Sequence, residues 1–337
     1  MTKSTSSMPP MLERREVLAS LSVAGAGAVA ATLGGATSAQ ASTRKIEGAS
    51  LTGPYIDLTD KTGNMIAAAR LNGNIDPSKS RFGWYDGIVM GVTAGGPLKN
   101  ICGFRGFGAT KLVPLTDRPG WQKLHREVGY YYDLATGEIM EEMENPYTQE
   151  KVRVVHVAND PFNTIYEEYY PLPPNYGGLN NDNVERKPYL KNWRVEGDRL
   201  MMESHIHLYY KNALDPKKWV RESSGPMNRV SEMFLHIVSL DDMQNEELTA
   251  VRDYGSWNRV TPWLPWMLMG QAPGHCVYNC LTAGGVETVE ELPANIVEYT
   301  AKNFPKYLEP PATYEEPSLS SLEMYAIEQE PVLPGGT

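Results

Sequence analysis

Leu200-Met201-Met202-Glu203-Ser204-His205-Ile206-His207-Leu208-Tyr209-Tyr210 decides the fold class. Apolar side chains recur at every second position, which is the period of a strand rather than a helix. Gly197-Asp198, just ahead, forms a two-residue hairpin turn, with Trp193-Arg194-Val195-Glu196 as the partner strand. Alternation then sorts the side chains. Met202, Ser204, Ile206, Leu208 and Tyr210 share one face, and Glu203, His205, His207 and Tyr209 share the other.

Upstream the same pattern repeats. Residues 122–132 read as a strand, Asp133 to Gly137 as a turn, 138–143 as the return, and 151–158 and 165–170 as two more strands of an antiparallel meander. Residues 87–93 and 101–112 are strands as well, and Gly103, Gly106 and Gly108 inside the second imply the sharp coiling of a barrel wall. Residues 171–188 form a loop of the length used for lids and binding loops. Downstream, 228–240 is a long strand, while 257–269 gathers Trp257, Trp263 and Trp266 among prolines. Helical patterns are confined to 58–71 and 292–307, the second opened by Pro293. The chain is therefore expected to be mainly β: an antiparallel, lipocalin-like β-barrel first and a β-sandwich second, with a few peripheral and C-terminal helices.

Three segments follow from composition. Arg14-Arg15, a weakly apolar run rich in Ala and Gly, and Ala39-Gln40-Ala41 make residues 1–41 a twin-arginine signal peptide, which predicts a periplasmic or secreted protein. Residues 42–308 are one β-rich domain, and the Pro-rich acidic residues 309–337 an extended or disordered arm. No stretch of the mature chain approaches the length of a membrane span. A net charge of −10 argues against nucleic acid as a partner. Nineteen Tyr and seven Trp against six Phe favour a half-wet cavity for a small apolar or aromatic molecule. Of the cysteines, Cys276 and Cys280 either pair or are buried thiols.

The candidate chemistry is the row Glu203, His205, His207, whose next-but-one side chains stand about 7 Å apart. His125, Glu127 and Tyr131 share a face of their strand, and His236 lies with Glu232, Phe234 and Val238. If the strand faces converge, His205 or His207 is a base, Tyr209 or Tyr131 an acid, and Arg126 an anion holder. His125, His156, His236, Trp263 and Trp266 would then contact substrate. The alternative is a divalent metal on His205, His207 and Glu203, serving a hydrolase or oxygenase. A third reading is a non-catalytic carrier. Phosphate-loop, dinucleotide and nucleophile-elbow motifs are missing, so no organic cofactor is expected.

Arg126-Glu127-Val128-Gly129-Tyr130-Tyr131-Tyr132-Asp133, then Thr136-Gly137-Glu138, Asn145-Pro146 and His156-Val157-Ala158-Asn159-Asp160-Pro161, resemble the DUF1838 family of exported bacterial proteins. The resemblance runs on through Trp263-Leu264-Pro265-Trp266 and implies a β-rich exported protein, with a hint of apolar substrates. Together these readings favour a cofactor-independent lyase, isomerase or dehydratase acting on a small aromatic or apolar oxygenated compound. A retro-aldol loss of a hydroxymethyl group is one form of it.

Overall fold

The computed structural model describes residues 51–159, 164–170, 185–314 and 319–333. The leader expected at 1–41 and most of the loop expected at 171–188 lie outside them. Described elements belong to one compact unit, Gly48–Thr337. After helix α1 (Lys61–Asn72) come strands β1 (Arg81–Val92), β2 (Lys99–Pro114) and β3 (Trp121–Tyr132), then a small hairpin of β4 (Glu142–Glu144) and β5 (Lys151–Arg153). Short strands β6 (Val157–Asn159) and β7 (Thr164–Tyr166) precede β8 (Asn192–Glu196), β9 (Arg199–Lys211) and β10 (Met227–Ser239). The chain continues through α2 (Leu240–Gln244), β11 (Asp253–Thr261), β12 (His275–Val286), α3 (Ala294–Asn303) and α4 (Ser321–Glu328).

The protein is mainly β, and its large sheet is antiparallel throughout, in the order β6-β3-β2-β1-β12-β11-β10-β9-β8, with β7 also on β3. The β8–β9 hairpin forms as its sequence predicts, with Gly197 at φ +63° in the turn. The first-choice barrel does not: β6 and β8 do not pair, the sheet stays open, and the sandwich-like alternative fits better. The reason is α1, which packs against both ends of the sheet. Met65, Ala68 and Ala69 sit with Leu112 and Tyr166 near one edge, while Ala67 and Leu71 sit with Trp193, Leu200 and Val238 near the other.

Local chemistry sets the helix there. Asp60 caps it by accepting from the backbone N–H groups of Thr62 (2.6 Å) and Gly63 (3.0 Å). Ala67-Ala68-Ala69 keeps it thin, and Asn64 Oδ1 accepts from Trp193 Nε1 (2.7 Å) and the Lys191 N–H (2.8 Å). Arg70, fully buried, donates to the carbonyls of Met243 (2.8 Å), Asp242 (3.0 Å) and Asn245 (2.7 Å), the end of α2.

The outer side of β1–β3 is covered by α3 through Phe82, Phe107, Tyr130 and Ile296. On the outer side of β9–β12, Tyr209, Tyr254 and Leu281 are exposed. The 309–337 arm is not extended throughout. Residues 321–328 form α4, because Ser320 and Glu323 make a reciprocal capping box that satisfies the first turn locally.

Candidate functional site

α1 fills one end of the concave face, leaving the other end as a cavity of about 320 Å³ beneath α4, within the size range of small-molecule sites. The strand parity that delivers its walls is the one that places Ile206, Leu208 and Tyr210 inward. Tyr85, Phe104, Trp257 and Tyr278 form a packed ring cluster at its base, with centroids 5.2–6.1 Å apart. Trp263 and Trp266 come from the proline-rich segment, and Trp266 lies edge-on to Tyr131 at 5.0 Å.

Charge enters this aromatic base at three points. Glu232, Arg259 and Tyr278 are direct cross-strand neighbours on β10, β11 and β12. Arg259 Nε lies 3.4 Å from Glu232 Oε1, too long and poorly aimed for a hydrogen bond. Among the described residues no hydrogen bond engages the Arg259 guanidinium. Tyr131 reaches across from β3 and shares a hydroxyl–hydroxyl hydrogen bond of 2.9 Å with Tyr278. Glu127 is the third charge. The Tyr85 hydroxyl donates to its Oε1 at 3.0 Å, passing over Gly106 and Gly129, where a Cβ would stand 2.6 Å from that hydroxyl.

Glu127 is half-buried and lines the cavity. Burial raises its pKa to about 7; the Tyr85 hydrogen bond opposes this, Glu232 adds to it, and Arg259 and Lys123 offset it in part. Burial also pushes the Tyr85, Tyr131 and Tyr278 hydroxyls above the usual phenol range, so all three remain donors at neutral pH. The base therefore holds a carboxyl poised between its two forms, a guanidinium without hydrogen bonds, and paired phenols.

The expected row lies elsewhere. His205 and His207 are exposed on the convex side, Tyr209 is 57% exposed, and Glu203 pairs with Arg194 at 2.8 Å. The apolar face of β9 claims the interior, as burial energetics require, and sends the histidine row to solvent. His207 Nδ1 meets Ser231 Oγ at 3.0 Å. Among the described residues no group of three or more His, Cys, Asp or Glu is arranged to hold a metal ion, the row Glu203, His205, His207 included.

The other expected residues divide. Tyr131, His156, Trp263 and Trp266 line the cavity. His156 precedes β6 rather than lying in a strand; burial lowers its pKa to about 4, and its Nδ1 accepts from the Tyr131 N–H at 3.2 Å. His125 faces inward but binds Thr110 Oγ1 at 2.8 Å, and burial holds its pKa well below the ordinary value. His236 Nδ1 meets Asp253 Oδ2 at 2.8 Å, and Asp253 also holds Arg81 at 2.5 Å. Arg126 donates to the Lys306 carbonyl at 3.0 Å, tying the C-terminal segment to the sheet instead of facing the cavity. Cys102, Cys276 and Cys280 are buried free thiols.

Sequence reasoning missed Arg259 because 253–261 was not recognised as a strand. Once it is, alternation places Asp253, Trp257 and Arg259 on the inner face. Compared with known families, residues 78–328 match the model described as "Protein of unknown function (DUF1838)". A search of curated proteins finds no match to this chain.

Proposed function

The chain belongs to the DUF1838 family, and since that membership carries no assigned activity, we propose one from the cavity: cofactor-independent acid–base catalysis on a small aromatic or apolar oxygenated compound, as a lyase, isomerase or dehydratase. The observation that carries it is a single juxtaposition: Glu127, held near neutrality by burial, shares an aromatic cavity with an Arg259 guanidinium that makes no hydrogen bond. A carboxyl titrating near 7 is matched to taking and returning a proton at physiological pH. Arg259 and the Tyr131–Tyr278 pair are donors for charge developing on a substrate oxygen.

In the retro-aldol form, Glu127 takes the hydroxymethyl O–H proton. The adjacent C–C bond breaks and formaldehyde leaves. The electron pair passes through the substrate to an oxygen at Arg259, and the proton returns from Glu127 to carbon. Formaldehyde release from a panel of hydroxymethyl-bearing aryl compounds, compared with Glu127→Gln, tests this. The variant is expected to keep binding and lose turnover; undiminished turnover would eliminate the reading. Ligand binding without turnover in any substrate class would favour the carrier instead.

The proposal includes export through the twin-arginine route to the periplasm or beyond. Arg14→Lys with Arg15→Lys is expected to leave the chain in the cytoplasmic fraction, and unaltered fractionation would exclude that route.

A further inference from the structure

Among the described residues, six that line the cavity carry a buried side-chain atom without a hydrogen-bond partner; two of these atoms, the donors His156 Nε2 and Trp266 Nε1, lie beside Tyr131. At the base, Trp257 Nε1 is buried with no hydrogen-bond partner, beside Arg259, whose Nε has none either. Both atoms are donors. Beneath α4 the unsatisfied atoms are Asn159 Oδ1 and Glu222 Oε2, on side chains 2% and 3% exposed, and both accept. Their other atoms are engaged: Asn159 Nδ2 donates to Ser321 Oγ at 3.1 Å, and Glu222 Oε1 accepts from the Val332 N–H at 2.6 Å. These bonds fix both side chains against the segment carrying α4, and all four residues line the same cavity.

Burying a donor or acceptor without a partner costs roughly 1–3 kcal/mol, so six around one cavity are the imprint of a ligand rather than of a core. We propose that the cavity takes a molecule polar at both ends, with an apolar or aromatic body between. A carbonyl-type oxygen accepts from Trp257 Nε1 and Arg259 at the base, and a hydroxyl donates to Asn159 and Glu222 under α4. The inference rests on reading the cavity as a ligand site and adds the orientation: the oxygen that is to receive charge goes in first, near Glu127, and the hydroxyl end stays under the helix. Asn159 and Glu222 are then specificity determinants outside the proton-transfer machinery.

Calorimetric titration of the mature chain with three probes tests this: raspberry ketone (ketone and phenol), benzylacetone (ketone alone) and para-butylphenol (phenol alone). The two-ended probe is expected to bind about tenfold or more tighter than either analogue. Trp257→Phe keeps the ring and removes the N–H. It should erase the advantage over para-butylphenol while preserving that over benzylacetone. Glu222→Gln can still accept from Val332 and turns an amide toward the cavity, so it should erase the opposite advantage. Equal affinities for the three probes, no binding by a folded chain, or both variants losing the same advantage would overturn the proposal. Two-ended binding without turnover of any substrate would sink the acid–base reading and leave this one standing.

Discussion

Two ionic clusters lie on the same concave face, and their difference separates structure from function. In the first, at the end filled by α1, Asp253 holds Arg81 at 2.5 Å and His236 at 2.8 Å, with its carboxylate 5% exposed. Burial pushes the Asp253 carboxyl up, and Arg81 and His236 more than reverse this, leaving it below the ordinary value. In the second, under α4, Glu232 and Arg259 stand 3.4 Å apart without a hydrogen bond, and Glu127 is driven up to about 7. The first cluster is closed by charge-assisted hydrogen bonds, whereas the Glu232–Arg259 ion pair of the second lacks one. Spacing allows the first: Gly284 leaves room that a Cβ would take, at 2.5 Å from Asp253 Oδ1.

The comparison predicts opposite responses to the same kind of mutation. Glu127→Gln should lower turnover by about 10²–10⁴ with no loss of melting temperature, because its cavity-facing carboxyl gains little from being ionised in the fold. Asp253→Ala should do the reverse, costing roughly 3–5 kcal/mol in denaturant unfolding, since it strands Arg81 in a buried site. If Asp253→Ala unfolds no more easily than wild type, the distinction between closed and open clusters fails.

The clusters should also pull stability in opposite directions with pH. Glu127 has its pKa raised from 4.5 to about 7, so between those values the folded chain binds more protons than the unfolded one. Its contribution is complete below 4.5 and lost as pH rises to 7, with a slope of at most about 1.4 kcal/mol per pH unit. Asp253 is lowered, so its contribution is present above 3.8 and disappears as pH falls below that value. Stability of Glu127→Gln relative to wild type should therefore improve from pH 5 to pH 7 in chemical denaturation, and a flat difference would contradict the raised carboxyl.

How much of this was legible in the sequence depends on whether it was written in alternation. The β8–β9 hairpin, the strand β2 and the shared face of Met202, Ile206, Leu208 and Tyr210 could all be read, since period two and a Gly turn are local signals, but which face of β9 turns inward was expected the other way round. Open edges could not, because closure was decided by α1 packing against residues far away in sequence. Glu127 and Tyr131 were placed correctly on one face, but nothing local showed that Tyr85 would reach Glu127 across two glycines. Nor could the acidic tail reveal that Ser320 and Glu323 would start a helix over the cavity, although the Ser-x-x-Glu spacing was available as a clue.

The smallest expected effect is also the most direct check on which face matters. The imidazoles of His205 and His207 have ring centroids 6.1 Å apart, but they stand on the convex side in solvent, and among the described residues the one side-chain hydrogen bond of the two is His207 to Ser231. Exposed side chains with so few contacts contribute within about 0.5 kcal/mol to stability. A His205→Ala, His207→Ala double variant should thus unfold within that margin of wild type and retain turnover and probe affinity, because neither ring touches the cavity lined by Glu127 and Arg259. Loss of turnover with an unchanged melting temperature would mean that chemistry happens on the outer face, which would displace the cavity as the site. Loss of both would instead assign the row a part in holding β9 against β10.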